Sequence, residues 1–141
     1  RLNIYSKVIF NTLNKKFGFP IGKKNNLQIP QVFIKNKGCK IAVVRGIFDT
    51  DGGIHISKRD YPMIVISTTS NILAYQIEGI LKELNFEVNT YINKKNPTAK
   101  KPCYRITMYG KDNILKWKTL IGASNPFHIK KLNNATIAQI I

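Results

Sequence analysis

The chain contains 141 residues, about the usual size of one domain, and its 23 Lys and Arg residues against 7 acids give a formal net charge of +16. Hydrophobic residues make up 43% of the chain, which is enough for a globular core and excludes a disordered protein. No apolar run approaches the roughly 20 residues of a membrane-spanning helix and no secretory leader is visible, so we expect a protein that neither spans a membrane nor is secreted.

The first part of the chain predicts three helices and a connector. Apolar residues at helical spacing predict a helix over residues 3–17, which Gly18 ends. The turn-rich residues 18–30 form the connector, and a short helix is expected at 31–36. Residues 40–51, with the sequence KIAVVRGIFDTD, predict a mostly buried helix that two glycines end.

From residue 40 onward the predicted order is αββαββα, followed by a terminal helix. The strands are expected at 53–59, 61–69, 86–93 and 103–109. The helices that follow them begin after a capping Ser70, at Lys111, and at Pro126 after a capping Asn125.

The strongly basic composition indicates an anionic partner, because self-repulsion destabilises a compact protein of such high charge. The lysines are dispersed over many segments rather than gathered on one amphipathic helix, as binding to a membrane surface would require. Nucleic acid is therefore the partner that the composition favours.

The helix at 40–51 carries the residues with the clearest chemical signal. Ala42, Gly46 and Thr50 are spaced by four, and such a stripe of small residues lets two helices approach closely. Asp49 and Asp51 lie at the carboxyl end, where the helix dipole disfavours negative charge. A bound Mg²⁺ or Ca²⁺ would compensate them, although an Asp at this place can also simply end a helix.

Residues 44–52, VRGIFDTDG, resemble the nine-residue motif of the LAGLIDADG homing endonucleases. Gly46, Asp49, Asp51 and Gly52 match the motif's most characteristic letters, whereas Arg45 stands where the family name has a small residue. The resemblance covers nearly the whole chain, because the αββαββα order follows the motif. It implies an α+β fold with a four-stranded antiparallel DNA-binding saddle, preceded here by an N-terminal helix. The N-terminal helix and connector then occupy residues 1–36, and the endonuclease domain occupies 37–141.

The resemblance also implies how such a protein would act. Two motif helices pack side by side, and the second acid, Asp51, holds Mg²⁺ at their base, with Ca²⁺ or Mn²⁺ as substitutes and Asp49 as a further candidate ligand. The expected activity is site-specific hydrolysis of phosphodiester bonds on both strands of double-stranded DNA. A basic residue near the metal would assist the reaction, and Lys24 and Lys130 are the candidates that we select, with Lys23, His128 and Lys131 as neighbours at matching positions.

Within the implied saddle, alternation along the strands assigns the side chains that face the DNA major groove. Those expected to reach base edges are His55, Ser57, Arg59, Asn89, Tyr91, Asn93, Arg105 and Thr107. Those expected to meet phosphates lie in the 94–101 loop and include Lys94, Lys95, Lys100 and Lys101.

Residues 1–36 resemble the tail of a preceding repeat, yet the chain holds a single motif. Two arrangements stay open: a homodimer that pairs through the motif helix, or a second repeat that precedes Arg1 in a longer protein of intron or intein origin. Two other functions also stay open, namely a DNA-binding regulator that has lost cleavage and a maturase that assists splicing of intron RNA. Retention of both acids favours the endonuclease over the regulator, because acids beside a polyanion cost affinity unless a metal is bound.

Overall fold

The structure is a computed structural model, and it describes residues 5–19, 27–56, 61–93 and 102–137. Five helices are present there: α1 (Lys7–Asn11), α2 (Lys37–Asp51), α3 (Asn71–Glu83), α4 (Lys111–Leu120) and α5 (Pro126–Ile137). The strands are β1 (Gly52–Ile56), β2 (Pro62–Thr68), β3 (Asn89–Asn93) and β4 (Cys103–Tyr109). A π-helical turn at Thr12–Lys16 extends α1, and a 3₁₀ turn at Gln31–Ile34 precedes α2.

The four strands form one antiparallel sheet in the order β1-β2-β4-β3. Each hairpin therefore contributes one inner and one outer strand, and β2 pairs with β4 at the centre. The register places Val65 opposite Thr107, which in turn lies opposite Asn89. This arrangement confirms the predicted α+β fold with its αββαββα order and four-stranded sheet.

The helices cover one face of the sheet and enclose the core there. Ile64, Ile66, Ile106 and Met108 point from the two central strands toward the helices and have no exposed surface. Helix α4 adds Trp117, whose ring centroid lies 4.9 Å from that of Phe48 of α2. Burial of these side chains, at about 1.5–3 kcal/mol each, holds the helices on the sheet.

Helix α2 begins three residues earlier than predicted, because the Asn36 side chain accepts a hydrogen bond of 2.9 Å from the Cys39 amide and caps it. The prediction that this helix is mostly buried is wrong for the single chain. Of its 15 residues, Val44 and Phe48 alone fall in the buried class. The helix therefore keeps an uncovered side.

The other element predictions differ from the structure mainly at their ends. Strand β4 has the predicted bounds, whereas β3 begins three residues later than expected, after Phe86 has turned into the core. Alternation along the strands predicts that Ile56 and Ile92 pack on the helices, and this is wrong, because they are 46% and 47% exposed at the ends of the two outer strands. The predicted strand residues 57–59 lie outside the described residues, as do residues 3 and 4 of the first helix and residues 138 and 139 of the last.

The segment before α2 packs against the helices rather than standing apart. The Gln76 side chain of α3 accepts from the Ile29 amide at 2.7 Å and donates to its carbonyl at 3.2 Å. Phe33 packs against the rings of Phe17 and Phe19. Leu27, Ile29 and Phe33 also line a cavity together with Val43 and Ile47 of α2. The boundary between residues 36 and 37 stays a prediction.

Candidate active site and nucleic-acid interface

The uncovered side of α2 carries the predicted stripe of small residues. Ala42, Gly46 and Thr50 are all exposed. A methyl group added at Gly46 would meet no atom within 4 Å, so the glycine is not required by packing inside the chain. The stripe therefore presents a smooth surface on which a second helix could lie closely.

Asp49 is committed to the fold. Its carboxylate accepts hydrogen bonds from the Ser124 amide, at 2.9 and 3.1 Å, and from the Asn125 amide at 3.1 Å. The Asn125 side chain in turn donates to the Asp49 carbonyl at 3.3 Å. A carboxylate suits this position, because the amides at a helix N-terminus carry positive partial charge. Asp49 therefore links the start of α5 to the end of α2. Its role as a further metal ligand stays a prediction.

Asp51 is exposed, and its carboxylate accepts no hydrogen bond from a backbone amide of another described residue. Its carboxylate accepts a hydrogen bond of 3.1 Å from the adjacent Thr50 hydroxyl. It lies at the lip of an open cavity of about 370 Å³, whose lining includes Ile47, Ser67 and Thr68. The carboxylate stands where the last carbonyls of α2 already concentrate negative charge, so it is electrostatically suited to hold a cation.

The described part of the chain does not by itself form a cluster of metal-binding side chains. Across residues 5–19, 27–56, 61–93 and 102–137, no group of three His, Cys, Asp or Glu side chains is close enough to hold an ion. Mg²⁺ is commonly held by one or two carboxylates together with waters and substrate phosphates, so Asp51 fits as one contributor.

The sheet face away from the helices collects the polar strand residues. Register puts His55, Asn89, Tyr91, Asn93, Arg105 and Thr107 on this face. We name this side of the sheet the open face. It consists of the polar residues just given and of the residues aligned with them across the strands, which include Met63, Val65 and Ser67 of β2.

The open face does not expose all of its members. Thr107 has no exposed surface, and its hydroxyl donates to the Asn89 carbonyl at 3.1 Å. The expectation that Thr107 reaches a base edge is therefore wrong for this conformation, because its neighbours cover the side chain. His55, Asn89 and Tyr91 are exposed, while Asn93 and Arg105 are half-buried.

The strands carry no negative charge. None of the residues in β1, β2, β3 and β4 is Asp or Glu, whereas α2, α3 and α4 hold five of the seven acids. A sheet free of acids within a chain of net charge +16 suits contact with a polyanion.

Helix α5 brings one of its two adjacent lysines to the sheet. The Lys131 ammonium lies 3.5 Å from the Ile54 carbonyl of β1 and 4.6 Å from the centre of the Phe127 ring. Lys130 is exposed and makes no polar contact with any other residue that the structure describes. His128 is buried between Phe48 and Asp49, with Nδ1 at 3.9 Å from the carboxylate.

The remaining candidates cannot be located relative to this site. Seven of the predicted site residues lie outside the described ranges: Lys24, Ser57, Arg59, Lys94, Lys95, Lys100 and Lys101. Their roles stay predictions.

Sequence reasoning missed the partners of two motif residues. The amides that bind Asp49 lie at residues 124 and 125, and the Arg45 side chain donates to the Ile121 carbonyl at the carboxyl end of α4. The carboxyl end of a helix carries negative partial charge and favours a nearby cation. This contact therefore explains why a basic residue, Arg45, is accommodated in the motif. The contact of Asp49 could have been anticipated from the Asn-Pro pair at 125–126, because this pair starts a helix and the first amides of a helix need acceptors.

The chain is an α+β domain with a polar sheet face and an exposed acid at the carboxyl end of α2. A sequence-family model described as LAGLIDADG-like domain matches residues 38–122, which is more than half of the chain, and the protein belongs to this family. The family comprises homing endonucleases and maturase-type proteins, which bind DNA and generally use divalent metals. No curated protein matches the chain significantly. No helix within the described residues is both long and apolar enough to cross a membrane.

Proposed function

We propose that this protein is a site-specific endonuclease that hydrolyses one phosphodiester bond on each strand of double-stranded DNA in a divalent-metal-dependent reaction. The observation that carries the proposal is the contrast between the two motif acids. Asp49 is held by backbone amides, whereas Asp51 stays exposed beside the small-residue stripe of α2. An exposed acid at the negative end of a helix lowers the stability of the fold. We therefore infer that Asp51 serves to bind something outside the chain.

A second motif helix completes the site in this proposal. The stripe of Ala42, Gly46 and Thr50 is open, so two copies can pack through it around a two-fold axis. Such a pair brings the two Asp51 carboxylates to the same end of the helix pair. A homodimer supplies the second helix, and so does a preceding repeat if the chain is part of a longer protein.

Asp51 is the residue that would hold Mg²⁺, with Ca²⁺ or Mn²⁺ as substitutes. Its exposed carboxylate and the carbonyls at the end of α2 offer the oxygen donors that these ions prefer. The bound ion would lower the pKa of an attacking water and neutralise charge on the leaving oxygen. The chain's part is to position this acid, which is the last residue of α2 and directly precedes β1.

Basic side chains would orient the water and stabilise the developing charge. Lys24 and Lys130 remain the proposed residues, and Lys131 joins them because its ammonium already lies against β1. The open face would enter the major groove, where His55, Asn89, Tyr91, Asn93 and Arg105 offer donors and acceptors to base edges. The lysines of the 94–101 loop would contact phosphates.

The test compares binding and cleavage by two matched variants. Duplexes that the wild-type chain retains from a random-sequence library in Ca²⁺ are incubated with it in Mg²⁺, and both strands are examined for breaks. We expect Asp51→Asn to bind the same duplexes in Ca²⁺ but not to cleave them in Mg²⁺. Asp112→Asn is the control, because Asp112 is an exposed acid in the first turn of α4.

The outcomes separate the alternatives. Cleavage by Asp51→Asn at the wild-type rate would remove the proposed metal site. Specific duplex binding without cleavage by the wild type would identify a DNA-binding regulator of the same fold. Preferential binding of intron RNA with stimulation of its splicing would identify a maturase.

A further inference from the structure

Three cross-strand rows of the open face span three or four strands, and Asn93 and Cys103 form a shorter fourth row on β3 and β4. The row nearest Asp51 contains Tyr91, Arg105 and Ser67, which lie side by side on β3, β4 and β2. The next row contains Asn89, Thr107, Val65 and Gly53, and the row farthest from Asp51 contains Tyr109, Met63 and His55. The order of the rows follows from β1 beginning directly after Asp51.

The middle row offers little to a ligand. Val65 is 3% exposed, Thr107 is fully buried with its hydroxyl on the Asn89 carbonyl, and Gly53 has no side chain. Asn89 at the sheet edge is the member of this row that is exposed. The centre of the open face is therefore closed to hydrogen bonding with base edges.

The row nearest Asp51 has the opposite character. Arg105 is the one fully charged side chain on the described strands, and it makes no hydrogen bond or ion pair with any other described residue. Tyr91 on one side is 42% exposed, and Ser67 on the other is half-buried. The Arg105 guanidinium, which has no partner among the described residues, lies on strands without acids and can bind a partner brought to that face.

We propose that Arg105 is the main specificity-determining residue of this protein and donates two hydrogen bonds to O6 and N7 of a guanine in the major groove. This inference rests on the proposed function, since it assumes that the open face contacts DNA. A guanidinium fork matches these two acceptors, and Arg–guanine is the commonest specific contact of its kind. The adjacent row, which contains the buried Thr107 and Val65, then makes almost no hydrogen bonds to the neighbouring base pairs.

The spacing between the rows predicts which base pairs of the target can vary without loss of binding. Alternate residues of an antiparallel strand are about 6.8 Å apart, which equals about two base-pair steps of B-DNA. The selected half-site should therefore contain one strict G·C pair, with tolerant positions about two base pairs farther from the cleavage point.

The experiment is selection of bound duplexes from a random-sequence library in Ca²⁺, followed by sequencing, with the full chain and three variants. We expect Arg105→Ala to lose the guanine preference, which is worth about 5- to 150-fold, at one position while the others are kept. Arg105→Gln should move that preference to adenine, whose N6 and N7 suit a glutamine amide. Lys37→Ala is the charge-matched control, because Lys37 is exposed at the end of α2 opposite to Asp51.

Each outcome decides between the two proposals. Loss of preference at a single position in Arg105→Ala, with an unchanged motif in Lys37→Ala, supports the inference. If the wild type selects a motif and both Arg105 variants select the same one, the role of Arg105 is refuted while the proposed function stands. If the wild type binds no duplex, both proposals are overturned. Arg105→Gln keeps the test valid should the alanine variant fail to fold.

Discussion

The two acids of the motif should affect stability with opposite signs, although a single residue, Thr50, separates them. Asp49 accepts three hydrogen bonds from the amides of Ser124 and Asn125, whereas Asp51 accepts one from its neighbour Thr50. Asp49→Asn keeps the shape of the side chain but turns its NH₂ group toward an amide donor and removes the charge. Asp51→Asn removes a charge from the negative pole of α2.

The magnitudes follow from these contacts. Loss of a capping carboxylate costs about 0.5–2 kcal/mol, and hydrogen bonds to charged groups are at the upper end of the usual range. Ser124 is exposed, so water can take over part of the bonding, and we expect Asp49→Asn to lower the free energy of unfolding by about 1.5 kcal/mol. Removing the unfavourable charge in Asp51→Asn should raise it by about 0.3–1 kcal/mol.

The assay is urea denaturation in a chelating buffer, followed by the fluorescence of Trp117. This is the single tryptophan of the chain, and it is fully buried against Phe48 of α2. Chelation is needed because a bound ion would stabilise the native state by mass action. Equal changes in both variants, or a loss of more than about 1 kcal/mol in Asp51→Asn, would refute the assignment of Asp49 to the fold and Asp51 to function.

Three further predictions concern association, salt and pH. If two copies pair through α2, Gly46→Leu should abolish self-association in light scattering. Gly79→Leu on α3 is the control and should leave it unchanged, because a Cβ added at either glycine meets no atom within 4 Å. A Gly46→Leu dimer of unaltered strength would show that the stripe serves another purpose. DNA binding should weaken steeply with salt, with log K falling by about 0.9 per log unit for each phosphate neutralised, and a flat response would contradict binding through the basic surface. The hydrogen bond from Lys82, 2.5 Å long, lowers the pKa of the Glu78 carboxyl, so the pair stabilises the fold above the carboxyl's ordinary pKa and loses this effect as pH falls through the lowered value. Wild type and Glu78→Gln should therefore differ by about 0.3–0.5 kcal/mol in urea unfolding at neutral pH and should converge in acid; a difference that persists at pH 2 would contradict the ion pair.

The sequence predicted the order of the elements well because the local signals are strong. Alternation fixed strand β4 with its observed bounds, and Ser70 and Asn125 cap helices where expected. The start of α2 was missed because the cap, Asn36, stands before residues that lack an apolar period. Ile56 and Ile92 alternate correctly, but alternation cannot show where the covering helices end.

The site was predicted in outline and not in its contacts. The family motif singles out Asp49 and Asp51 together, and nothing in their spacing shows that Asp49 binds amides 75 residues away. The burial of Thr107 likewise depends on the side chains beside it on the open face. Such long-range contacts arise from tertiary packing, which local patterns do not encode.

Gly52 joins the acid-bearing helix to the sheet without an intervening loop. A methyl group there would lie 2.5 Å from the Phe48 carbonyl oxygen and 2.3 Å from its ring, so the junction admits no side chain. Asp51 and the first residue of β1 are adjacent in the chain, with no loop between them. Under the proposed function, the distance between the bond that is cut and the bases that are recognised becomes a fixed length built into the backbone, and changes in target preference cannot shift the cleavage point along the duplex.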